Sequence, residues 1–259
     1  MKKITTLSEL AKICNCSTAT VSYVLNGRED QRISEETKQK VLQMANLFQY
    51  RINPYAKALA TGELHNIMFF YDYSDFTLSK SEVLNFINEL STFLKNNKYN
   101  LIVAPVNHTQ KFSFVDAVLT YRISKEKFHE LANKNFVPVI SIDTIINDNL
   151  FYEIVNSFND LKNDENILYL STPFNDNQIN DYLNKNFNIK FINSFSDLHN
   201  INTSKTIISL SIEIQKYLNE INIQSEYHCI NTQAKYNAIL DAINDSISRN
   251  QEKNHQIRV

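Results

Sequence analysis

The chain has 259 residues, 43% hydrophobic and 21% charged, with 26 Lys and Arg against 28 Asp and Glu for a net charge of −2. That length suits one small and one larger domain, and no run of about 18 apolar residues marks a membrane span. Only two glycines occur, Gly27 and Gly62, so no phosphate-cradling loop, dinucleotide fingerprint or G-x-S-x-G nucleophile elbow can be written.

Met1-Lys2-Lys3 leads into a polar, helix-like pattern instead of an apolar signal segment, so a cytoplasmic protein is expected. Thr6-Leu7-Ser8-Glu9 reads as a capping box opening a helix from Leu7 to about Ile13, with Leu7, Leu10 and Ala11 inward. Cys14-Asn15-Cys16 is a tight turn. With Cys229 the cysteine count is odd, and the six His are scattered, so reduced thiols are expected, with no metal and no cofactor. Ser17 caps a second helix, Thr18 to Leu25, with Val21, Val24 and Leu25 inward and Gly27 suited to its exit. Ser34 caps a third, whose buried side is Val41, Leu42, Ala45 and Phe48.

Two short helices on a longer third make a helix-turn-helix or a plain three-helix bundle. In the first reading the second helix enters a major groove, presenting Thr18, Ala19, Ser22 and Tyr23 to base edges and phosphates. Charge favours it. Residues 1–62 hold nine Lys and Arg against five Asp and Glu, and the rest hold seventeen against twenty-three. A basic head on an acidic body suits a head that touches phosphates.

After Gly62 strands alternate with helices, which argues for parallel sheets with crossover helices. Strands are predicted at Ile67–Tyr71, Leu101–Val106, Val115–Thr120, Val137–Ile142, Tyr152–Val155, Ile167–Leu170, Lys190–Ile192, Thr206–Leu210 and Tyr227–Ile230. Helices are predicted at Ser79–Asn97, Ser124–Asn133, Ile212–Asn219 and Ala234–Ile247. Asn97-Lys98 and Asn133-Lys134-Asn135 are candidate left-handed helix exits in this glycine-poor chain. No Ser, His and Asp spacing singles out a catalytic site, so an enzyme is not expected.

TLSELAKICNCSTATVSYVLNG (Thr6–Gly27) and RISEETKQKVLQMANLFQY (Arg32–Tyr50) resemble the head of the lactose-repressor (LacI/GalR) family, and RINPYAKALATG (Arg51–Gly62) resembles its hinge. The resemblance implies a transcription regulator, of the repressor kind, that binds a palindromic double-stranded DNA operator as a homodimer. It implies base-reading roles for Thr18, Ala19 and Tyr23, and phosphate-holding roles for Thr6, Ser17, Ser22, Asn26, Ser34 and Tyr50. Asn53, Ala56 and Leu59 match the hinge helix, with Leu59 at the position of a leucine wedged into the minor groove. One departure is visible: Ile52 stands where the family usually has proline, and Pro54 follows Asn53.

The implied organisation is a helix-turn-helix domain (1–50), a hinge helix (51–62) and a two-lobed, periplasmic-binding-protein-like α/β regulatory and dimerisation domain (63–259). Asn66–Phe76 and Phe112–Asp143 resemble parts of that body, and His255–Val259 its C-terminal strand. The body is shorter than is usual in the family. Ser171–Asn186 lacks the family's arginine, Leu210-Ser211 replaces an Asn-Asp pair, and Asn231 stands for an aspartate. Candidate contacts to a sugar-like effector are Tyr71, Asp72, Tyr73, Asp75, Phe76, Asp116, Arg122 and Asp143. Equally open is that Asp116 and Asp143 cap turns and the aromatics pack, leaving a body that serves only dimerisation or a protein partner.

Overall fold

The structure is a computed structural model that describes residues 6–28, 30–50, 64–107, 112, 114–248 and 254–259. The chain divides into two compact units, Met1–Leu64 and His65–Val259.

In the first unit α1 (Leu7–Cys14), α2 (Thr18–Leu25) and α3 (Glu35–Leu47) pack around Leu10, Ala11, Cys14, Val21, Val41 and Ala45. Each N-terminus has the cap its sequence announces. The hydroxyls of Thr6, Ser17 and Ser34 accept the N–H groups of Glu9, Thr20 and Thr37, and the Glu9 carboxylate accepts the Thr6 N–H to complete the box. One side chain departs from expectation: Leu42 is 47% exposed, because Val41 and Ala45 take the inward stripe of α3.

The second unit begins with β1 (Asn66–Tyr71), α4 (Thr77–Asn96), β2 (Asn100–Pro105), β3 (Ala117–Tyr121), α5 (Lys125–Lys134), β4 (Val139–Ile142) and β5 (Tyr152–Val155). It continues with β6 (Ile167–Ser171), α6 (Asn177–Asn186), β7 (Ile189–Phe191), α7 (Phe195–His199), β8 (Thr206–Ser209), α8 (Ile212–Glu220) and β9 (Glu226–Tyr227). It closes with α9 (Gln233–Ser248) and β10 (Gln256–Arg258). Two wholly parallel sheets result, ordered β10-β5-β4-β3-β1-β2 and β7-β6-β8-β9. Parallel sheets are buried on both faces, and both cores obey this. On the larger sheet Phe69, Leu119 and Ile140 meet α4 and α9, while Phe70, Val118 and Val139 meet α5. On the smaller, Tyr169 packs with Ile179 and Leu183 of α6, and Leu170 and Ile207 with Ile214 and Leu218 of α8.

The sequence places most elements within a residue or two, but α6 and α7 were not foreseen. β9 is shorter than expected, since Ile230 leaves the sheet to pack against Phe158 and Leu210. Lys98 takes the left-handed exit after α4 at φ 70°, but Asn133, Lys134 and Asn135 do not, and Asn135 stays extended at φ −112°.

Candidate functional site

In the first unit, α2 buries Val21 and turns Thr18 and Ser22, one turn apart, and Ala19 and Tyr23, likewise, to its outer side. Thr18 and Ala19 are exposed, and Ser22 and Tyr23 half-buried. Three of the expected phosphate-holding residues are the helix caps themselves. Thr6, Ser17 and Ser34 sit where uncompensated N–H groups and the helix dipole favour an anion. Asn26 is tied back, its Nδ2 donating to the Ser22 carbonyl at 2.7 Å. Tyr50 is half-buried against the head core, and burial pushes its phenol pKa up. Arg28 follows α2 and lies over the Tyr23 ring, 5.2 Å from its centroid. Asn53, Ala56 and Leu59, and with them the whole expected hinge at 51–62, lie outside the described residues.

In the second unit the effector candidates are gathered only in part. Arg122 and Asp143 follow β3 and β4, both fully enclosed and both in the left-handed region, at φ 53° and 56°. Such strain in non-glycine residues costs on the order of 1–3 kcal/mol and concentrates at sites where side-chain direction matters. The Arg122 Nη1 donates to Glu82 of α4 and to Thr172 Oγ1, just after β6, each at 3.1 Å. Asp143 receives Lys235 of α9, whose Nζ reaches its two oxygens at 2.7 and 2.8 Å, with both side chains 0% exposed. Asn231 Oδ1 accepts from the same ammonium at 3.0 Å, and Asn156 donates to Asp143 at 3.3 Å. Burial lowers the Lys235 pKa, and the Asp143 carboxylate opposes that. The Arg122 guanidinium loses solvation too, but the carboxylates of Glu82 and Asp143 hold its pKa above the usual value.

Beside these pairs lies a cleft of about 180 Å³, lined by Glu82, Glu89, Tyr121, Arg122, Ser211 and Asn231 among others. It sits at the carboxyl ends of the strands, where open α/β sheets hold ligands. The other candidates stand apart from that cluster. Asp72 pairs with Lys127 at 2.8 Å, Asp75 with Lys80 at 3.2 Å, and Tyr73 stacks on Tyr71. Phe76 packs edge-on against Phe195. Asp116 lies at the opposite strand ends, where its carboxylate accepts the Asn66 N–H at 3.2 Å. Lys235, Glu82 and Thr172 escaped the sequence reading. The signal for Lys235 was its place on the apolar stripe of α9, in line with Ile239, Ala242 and Ile243. Among the described residues no cluster of His, Cys, Asp and Glu could hold a metal ion, and no helix is long and apolar enough to cross a membrane.

Residues 6–53 match the family described as bacterial regulatory proteins, lacI family. The probable HTH-type transcriptional repressor ExuR of Bacillus subtilis (strain 168) is 26% identical over 160 residues, covering 59% of this chain and 47% of that protein. The HTH-type transcriptional regulator MalR of Staphylococcus xylosus is 28% identical over 138 residues, covering 53% and 40%. The chain thus spans about half the length of the curated relatives it matches. Its fold is that of the lac repressor dimer bound to operator and the anti-inducer ONPF (TM-score 0.52, 13% identity, 100% of this chain and 96% of that one). A LacI-family regulator from Silicibacter pomeroyi shares it (TM-score 0.53, 14% identity, 99% and 96%). Residues 6–53 are thus similar to the lacI family of bacterial regulatory proteins, and the chain shares the fold of the lac repressor.

Proposed function

We propose that this chain is a sequence-specific, cytoplasmic, nucleoid-associated DNA-binding regulator, a repressor that grips a palindromic operator as a homodimer. The observation that carries the reading is the outward side of α2: Thr18, Ala19, Ser22 and Tyr23 present hydroxyls and a methyl on a helix whose inner side turns Val21, Val24 and Leu25 to the head core. Such groups suit base edges and thymine methyls, and the capped starts of α1, α2 and α3 suit phosphates. Residues 1–50 form the reading domain, 51–62 the hinge and 63–259 the regulatory and dimerisation body. Asn53, Ala56 and Leu59 belong to the hinge, with Leu59 as the minor-groove wedge. On the body, edge strand β2 leaves Ile102 and Val103 each 40% exposed, and the adjoining α4 leaves Leu84 59% exposed. These side chains give a second copy an apolar surface to cover.

Selection on random duplex DNA tests the reading, with wild type beside Thr18→Val and Leu59→Ala. The expected result is a palindromic consensus for wild type, relaxed at one base step in the Thr18 variant. The Leu59 variant is expected to lose the bent centre of the site. Equal binding of all duplexes at moderate salt, by a protein verified as a dimer, would refute it.

A second reading concerns the body. Residues such as Tyr71, Asp72, Arg122 and Asp143 suit a sugar-like effector, as the family resemblance implies. The Lys235 ammonium on Asp143 favours instead an effector-independent regulator. The carboxylate of Asp143 and the amide oxygen of Asn231, which a ligand would engage, already hold the Lys235 ammonium. Side chains of the chain itself also join the lobes, through Glu82, Thr172 and Arg122 and through Asn85 on Glu213.

A further inference from the structure

Tyr23 is an unusual reader for a recognition helix. It lacks the two-pronged geometry of arginine or asparagine, and a phenol on two free torsions selects a base edge only when its ring is held. The structure supplies a holder. Gly27 leaves α2 at φ +64°, with open space where a Cβ would stand, and the chain reverses. The Gly27 N–H bonds the Val24 carbonyl at 3.1 Å, and the Arg28 N–H bonds the Tyr23 carbonyl at 2.9 Å. This Schellman pattern sets Arg28 directly against Tyr23. The guanidinium then lies 5.2 Å from the ring centroid. Asp30 holds it through Nε at 3.0 Å and Nη2 at 2.6 Å, and Gln31 donates to the same carboxylate at 3.0 Å.

We propose that Arg28 is a positioning residue for base reading: clamped by Asp30, it holds the Tyr23 ring at the groove-facing side of α2, and it does not serve as a phosphate anchor. The inference rests on the reading of α2 as the recognition helix. An anchor on phosphate delivers an unmatched positive charge. Arg28 does not, because its charge is met by a carboxylate two residues on. The hydrogen bond between them holds the Asp30 pKa below the usual carboxylate range and raises that of Arg28, as a matched pair requires. A two-pronged guanidinium–carboxylate contact also fixes a plane, and a planar cation parked over a ring limits the ring's rotation.

The test uses the full-length protein, random-duplex selection and the salt dependence of affinity. Arg28→Ala is expected to weaken base preference about two- to fivefold at one position per half-site, the position that Tyr23→Phe also relaxes. The slope of log affinity against log salt stays at the wild-type value. In the Tyr23→Phe background Arg28→Ala adds no further loss at that position. Asp30→Asn relaxes the same position and steepens the slope by up to about one unit, since the freed guanidinium is then available to phosphate. Arg28→Lys restores part of the preference by keeping a cation at the ring. Melting curves establish that each variant is folded. A uniform affinity loss in Arg28→Ala with a slope flatter by about 0.9 would make Arg28 a phosphate anchor and overturn the inference. So would an unchanged consensus. A wild type without any preferred duplex would instead remove the reading of α2 itself, which separates the two failures.

Discussion

Lys235 stands in the first turn of α9, where the helix dipole disfavours a cation, and it is fully enclosed. Locally only the neutral Asn231 amide oxygen accepts from it; the compensating charge is that of Asp143, 92 residues earlier in the chain. A buried pair of this kind contributes little net stability, but removing one partner strands the other. Asp143→Asn keeps a residue that tolerates the left-handed backbone and deletes only the charge. It is expected to cost roughly 3–5 kcal/mol in urea unfolding, and most of that loss is expected to return when Lys235→Met is added. A single variant as stable as wild type would deny the pair its structural role. Sequence alone exposed Asp143 and Arg122, through the family resemblance. It hid Lys235, because a helical lysine is normally solvated and its partner lies in a distant strand end.

At the scale of elements, legibility followed the strength of local signals. The head was readable almost to the residue, since each helix starts at a side chain that caps it and α2 ends at a glycine. α6 was missed because Asn177–Asn186 offers only Ile179 and Leu183 to the core amid asparagines that favour turns; it is held by Asp176, which caps it from outside. α2 is similarly dependent on its ends, for Val21 is its one fully buried side chain. Ser17→Ala is therefore expected to destabilise the head by about 1 kcal/mol, and Ser17→Gly by only a few tenths. Amide hydrogen exchange in α2 would register this as faster opening; equal protection in the alanine variant would show that tertiary packing alone secures the helix.

For the whole molecule, alternation announced parallel sheets with crossover helices and the family resemblance implied two lobes, while the contacts between lobes were hidden, since they are made by side chains whose separation in sequence carries no pattern. If those contacts make the body effector-independent, sugars, sugar acids and sugar phosphates leave its melting temperature unchanged. A ligand held at a hundred times its dissociation constant would add about 2.7 kcal/mol, an upward shift that calorimetry would register and that would restore the effector reading.

Five of the six strands of the larger sheet lie within residues 66–155, yet its last strand is β10 and one of its faces is finished by Tyr236, Ile239, Ala242 and Ile243 of α9. The whole smaller lobe is spliced in between. On a ribosome adding roughly 5–20 residues per second, the strands β1 to β5 are made about 5–20 s before the helix that roofs them. During that interval Phe69, Leu119 and Ile140 have only α4 above them. The later lobe, uninterrupted in the chain from β6 to β9, is free to mature first, so nascent chains of this protein expose a half-covered parallel sheet that chaperones would have reason to guard.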